Sequence, residues 1–105
     1  MSNVDLKRVE ETNEHISELT EVVAEFETWV THPLNRVDPL RFKVKVLRYS
    51  NGKYMGIASH RIGNYLSLHQ QDTVELALQE ALGGVRAYYN PERPLHEQFL
   101  ENGDY

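Results

Sequence analysis

Cysteine is missing from the sequence altogether, which excludes disulfides, thiolate nucleophiles and cysteine-bound zinc. No run of apolar residues approaches the roughly 20 that a membrane-crossing helix needs. The opening Met1-Ser2-Asn3-Val4-Asp5-Leu6 lacks the basic-then-apolar order of a secretory leader. These absences set the expectation of a cytoplasmic chain with no membrane partner. No glycine-rich phosphate loop is present, and Ser50, Ser59 and Ser67 have no nucleophile-elbow context. The histidines (His15, His32, His60, His69 and His96) show neither the His-x-x-x-His nor the His-Glu-x-x-His spacing that places two ligands on one helix face. The expectation is therefore a non-enzymatic protein with no cofactor and no metal.

What is present is segregated charge. At 105 residues the chain fits one domain, and its net charge of −5 conceals three blocks of alternating sign. Residues 1–35 hold eight acids against Lys7 and Arg8, residues 36–61 hold seven bases against Asp38, and the remainder holds seven acids against Arg86 and Arg93. An acidic and a basic segment of equal size can complement one another within a subunit or across a dimer, or can meet an oppositely charged partner.

The acidic segment also carries an apolar seam. Val9, Ile16, Val23 and Val30 recur at one heptad position and Thr12, Leu19 and Phe26 at the other, with Val22 and Trp29 alongside. This spacing predicts an amphipathic helix from about Val4 to Thr31, ended by the His32-Pro33 step. Its seam packs either on its own sheet or on a helix of another subunit. A proline-marked linker over 32–39 leads to Leu40-Arg-Phe-Lys-Val-Lys-Val46, whose period-two alternation predicts a strand. Asn51-Gly52 suits the centre of a two-residue type I′ turn, which would set Tyr49 opposite Tyr54, Val46 opposite Ile57, Val44 opposite Ser59 and Lys43 opposite His60. Gly63-Asn64 offers a second reversal into Tyr65–His69, completing a three-stranded meander over 40–69. Asp72-Thr-Val-Glu75 reads as a capped helix start. The helix over 72–90 ends early or kinks at Gly83-Gly84, and 91–105 reads as a tail to which Leu95-His-Glu-Gln-Phe-Leu100 adds a short helical turn. The expected fold class is α+β, in the order α-β-β-β-α: a long N-terminal helix, a three-stranded antiparallel sheet and a C-terminal helix, in two layers.

Two surfaces follow from this reading. Ile16, Leu19, Val23, Phe26 and Trp29 are the candidates for assembly or partner docking through the first helix. Arg41, Lys43, Lys45, Tyr49 and Tyr54, with His60, share the outer hairpin face. Bases beside aromatics suit a protein surface and also bind phosphates and stack on nucleobases, so a nucleic-acid-binding regulator is the alternative to a protein-binding or self-associating one.

The segment Phe42–Leu82, with its Tyr49-Ser-Asn-Gly-Lys-Tyr-Met-Gly-Ile-Ala58 hairpin and its threonine-led helix Asp72-Thr-Val-Glu-Leu-Ala-Leu-Gln-Glu-Ala-Leu82, resembles the β-β-β-α module of HicB-like antitoxins. The resemblance implies a regulatory binding module that neutralises a partner, and it transfers no catalytic residue. The element order is also similar to the double-stranded-RNA-binding fold. That family reads RNA with lysines where this chain has Gln70, Gln71, Asp72 and Thr73, which argues against duplex RNA.

Overall fold

The computed structural model describes residues 3–34 and 36–105; Asn35, inside the expected linker, and Met1 and Ser2 lie outside the described residues. The expected α+β class is present, built on a three-stranded antiparallel sheet with helices. The N-terminal helix is the main correction. It is only α1 (Leu6–Glu11), capped by the Asp5 carboxylate, which accepts from the Arg8 N–H at 3.2 Å. Thr12 and Asn13 then turn their side chains back onto the helix. Asn13 Nδ2 donates to the Val9 carbonyl at 2.7 Å and Thr12 Oγ1 to the Arg8 carbonyl at 3.1 Å, bonds that compete with further helical turns.

The rest of the expected helix is a strand, β1 (Thr20–Val30). Seven of its eleven residues are β-branched or aromatic: Thr20, Val22, Val23, Phe26, Thr28, Trp29 and Val30. It pairs antiparallel with β2 (Leu40–Tyr49), and the register shifts between Val22 and Ala24. This bulge at Val23 sets the three-residue gap to Phe26, because an inserted residue moves the apolar positions across the strand by one. The earlier seam positions belong to other local structures: Val9 to α1, and Thr12, Ile16 and Leu19 to the turn and loop that follow it.

β2 is the central strand and follows its alternation, with Leu40, Phe42, Val44 and Val46 all buried. It leads to β3 (Tyr54–Ala58) through a loop one residue longer than expected. The Tyr49 N–H donates to the Lys53 carbonyl at 2.9 Å, and Gly52, at φ 82°, takes the left-handed conformation that closes a three-residue loop. The register therefore moves by one: Val46 faces Gly56, Val44 faces Ala58 and Arg48 faces Tyr54. Each β3 side chain accordingly lies on the sheet face opposite to the one expected.

The third strand of the sheet is β1, not the segment Tyr65–His69. That segment returns beside β3, and a single bridge, Tyr54–Gln71, forms just after it. β4 (His60–Ile62) instead pairs with β5 (Phe99–Glu101) near the end of the chain. The expected C-terminal helix is divided at Leu82 into α2 (Val74–Ala81) and α3 (Gly83–Tyr88). Thr73 rather than Asp72 caps α2, accepting from the Leu76 N–H at 3.1 Å. The region expected as a tail holds α4 (Leu95–Gln98) and β5, with Leu95, Gln98 and Phe99 buried.

The core lies between β2 and β3 on one side and α2, α4 and β5 on the other. Gly56 sets the helix-to-sheet distance. A Cβ there would press into the Ala77 carbonyl and come within 2.9 Å of the Ala81 Cβ, so only glycine lets the small face of α2 settle on β3. Among the described residues no helix is long and apolar enough to cross a membrane.

Candidate functional site

Cross-strand neighbours share a face, so the register defines the surface. On the face away from the helices, Trp29 is opposite Arg41, Glu27 opposite Lys43 and Glu25 opposite Lys45. Past the bulge Val22 stands opposite Leu47, and β3 contributes Ile57 and Met55. The acidic and basic blocks of the sequence thus interleave within one subunit. Arg41 Nη2 reaches Glu27 Oε2 at 2.7 Å, and this hydrogen bond holds the Glu27 carboxyl below its ordinary range. Lys45 Nζ donates to the backbone oxygen of Tyr105 and lies 4.8 Å from the centre of its ring, so the chain's last residues cross this face. Burial, followed by the nearby Glu25 carboxylate, raises the Tyr105 phenol.

A second electrostatic clamp joins the N-terminal segment to the sheet. Arg48 Nη2 donates to Glu21 Oε1 at 3.0 Å and to the Val4 carbonyl at 2.8 Å. Glu10 accepts from the Leu19 N–H at 2.8 Å, and its carboxyl is held low first by a hydrogen bond from Ser50 and then by the Leu19 amide. These bonds fold the acidic N-terminus back over the β2–β3 turn.

The candidate residues divide as follows. Ile16 lies in the loop before β1, exposed, and Leu19 is half-buried there. Val23 occupies the bulge and packs against the core, whereas Phe26 lies on the helix-side face of β1 yet remains 38% exposed. Trp29 is on the opposite face and 55% exposed, so no single seam unites these five. Arg41, Lys43 and Lys45 do form one row on the outer face, with Tyr49 at its end, its hydroxyl 3.9 Å from Met55 Sδ. Tyr54 is removed from the row by the register shift and packs against the core. His60, in β4, leaves it as well and stacks on Phe42 with ring centres 6.1 Å apart. Burial lowers the His60 pKa, with Glu101 partly opposing and His96 reinforcing the shift.

β1 is an edge strand, so one side of its backbone is free of the β2 ladder. Val22, Phe26 and Trp29 are exposed along it on both of its faces. The sequence signal for this edge was the β-branched and aromatic content of 20–30, masked by the heptad-like gaps.

A second feature had no sequence signal. Between β3 and the returning segment 65–69 there is a cleft of about 220 Å³. Met55, Ile57, Ile62, Leu66, Leu68 and Val85 line it, with His60, Arg61 and Asp104 also in its wall. Arg61 and Asp104 approach to 3.6 Å there. No family model, curated protein or solved structure matches the chain.

Proposed function

We propose that the chain is a small non-enzymatic interaction protein that docks a protein partner on the free edge of β1 and the adjoining outer face. The supporting observation is that edge. An eleven-residue strand paired on one side exposes Val22, Phe26 and Trp29, and the acids Glu25 and Glu27 stand among them on the outer face. An unpaired edge recognises an extended segment through main-chain hydrogen bonds, and side chains at alternate positions supply the selectivity.

The charges favour one kind of segment. A second copy of β1 laid antiparallel against the first would bring Glu25 and Glu27 against acids, an unfavourable arrangement in a cross-strand pair. A strand with bases at alternate positions and apolar residues between them matches both faces, as β2 already does from the other side. A regulatory, antitoxin-like role and a cytoplasmic site of action belong to the same proposal.

Trp29 is the only tryptophan and stands on the docking strand, so its emission reports the event directly. A peptide of the sequence Leu40–Val46 should shift Trp29 emission saturably, while the same peptide with glutamate in place of its bases should not. Equal responses to both peptides, or none, would refute the proposal. A mass above 12.2 kDa that rises with concentration would favour self-association. Salt-sensitive binding of single-stranded RNA would favour the nucleic-acid alternative.

A further inference from the structure

The segment Tyr65–His69 runs back along β3 in the manner of a hairpin strand, yet the ladder closes only at its far end. Tyr54 and Gln71 exchange both backbone bonds there, at 2.8 and 2.6 Å. In an antiparallel strand every second residue turns its N–H and C=O to the same side, so Gly56 and Ala58 are the next to face this segment. Asn102 Nδ2 takes the Ala58 carbonyl at 2.9 Å. Among the described residues none bridges Gly56 on this edge, and its adjacent donor and acceptor border the cleft. We propose that this cleft binds a compact aromatic molecule of one or two rings that carries an adjacent hydrogen-bond donor and acceptor, and that the Gly56 peptide groups are its recognition element.

The walls are held apart by bonds that the ligand need not make. Glu80 of α2 accepts from the His69 N–H at 3.3 Å and from Gln71 Nε2, and its backbone carbonyl accepts from the Tyr65 hydroxyl. The Tyr65 ring lies over Gly83 and Gly84, where any Cβ would collide with it. The segment is thereby drawn toward the helices and away from β3. Such prior fixing lowers the ordering cost of binding.

Shape and charge determine the ligand class. The Tyr54–Gln71 bridge closes one end of the cleft and the turn at Gly63 closes the other, so a peptide cannot pass through lengthwise. A dry apolar cavity of about 150 Å³ already accepts benzene, so about 220 Å³ suits a ring with a short substituent or a fused pair. The lining is mainly aliphatic, and the buried Ser67 Oγ on its wall has no hydrogen-bond partner among the described residues. The Arg61 charge is balanced by Asp104 at 3.6 Å, its buried Nε is left as an unpartnered donor among the described residues, and desolvation favours the neutral form of His60. An uncharged molecule is therefore preferred to an acid.

The test is an amide-resolved titration of the isotopically labelled chain with benzamide and, separately, with acetophenone, which has the same number of heavy atoms but no donor. Benzamide should give saturable shifts confined to Gly56, Ala58, Ser67 and Leu68, with a dissociation constant in the millimolar range usual for so small a molecule. Acetophenone should bind about threefold to tenfold more weakly, the usual value of one neutral hydrogen bond. Ser67→Phe should fill the cleft and abolish the shifts while the spectrum stays dispersed; if that variant unfolds, the two wild-type titrations decide alone. Non-saturating shifts, shifts scattered over the surface, equal affinity for the two probes, or, in a further titration, tighter binding of benzoate than of benzamide would each overturn the proposal.

Discussion

β1 and β2 face each other along ten residue pairs, and they are strands for different reasons. β2 buries every second side chain from Leu40 to Val46 beneath α2, α4 and β5, so its alternation is enforced by the core. β1 has no fully buried residue. It is held by the ladder to β2, by partial packing of Val23, Ala24 and Val30 against the core, and by acids that meet the bases of its neighbour. Burial makes a strand self-announcing in sequence. A strand held by its partner is visible only once the partner is in place.

Substitutions can break this contrast, beginning where it should be strongest. Phe42→Ala, at a side chain 2% exposed between α4, β5 and His60, should lower unfolding free energy by about 3–5 kcal/mol in denaturant melts. An effect no larger than that of Phe26→Ala would remove the distinction between a core strand and an edge strand. Arg48→Met deletes charge-assisted bonds to Glu21 and to the Val4 carbonyl, and should cost about 1.5–3 kcal/mol while loosening α1, as seen in faster amide exchange over residues 6–19. Gly56→Ala forces α2 away from β3 and should cost about 1–3 kcal/mol, measured by thermal or urea unfolding, without altering exchange in β1.

The pH response should be smaller. Burial depresses the folded-state pKa of His60 below its unfolded value, so the folded form binds its proton less readily. Its contribution to stability is present above about pH 6.5 and is lost as pH falls through the lower folded value. Melting temperature should decline between about pH 7 and about pH 5, and His60→Gln should flatten that decline; an unchanged slope would separate His60 from it. Trp29→Ser should change stability least, by no more than about 0.5 kcal/mol, because the ring is exposed. It should nonetheless weaken capture of the Leu40–Val46 peptide, followed by polarisation of a labelled peptide, which would place recognition on β1 and stability on β2.

Much of the fold beyond residue 39 was legible. The alternation of β2, the threonine-led start of α2 and the break beside Gly83-Gly84 all rest on interactions between residues close in sequence. The turn at Ser50-Asn51-Gly52 was legible as a turn, but its length was not. Asn-Gly suits both two- and three-residue loops, and the choice moved Tyr54 and His60 out of the outer row. Of the candidate site, Arg41, Lys43, Lys45 and Tyr49 came together as their parity required. Ile16, Leu19, Val23, Phe26 and Trp29 did not, because a strand with a bulge distributes them over two faces and a loop.

The sequence by itself determined the fold class, the strand that begins at Leu40, the helix start at 72–75 and the opposition of an acidic to a basic block, since each depends on local periodicity, capping or composition. Tertiary structure decided that the acidic block is a strand paired to the basic one, that the chain end folds back as β5, and that 65–69 stands apart from β3. Those outcomes depend on contacts between residues far apart in the chain: bases of 41–48 facing acids of 21–27, Phe99 reaching Ile62, and Glu80 drawing His69 and Gln71 toward the helix. A local pattern cannot encode which distant partner will satisfy it.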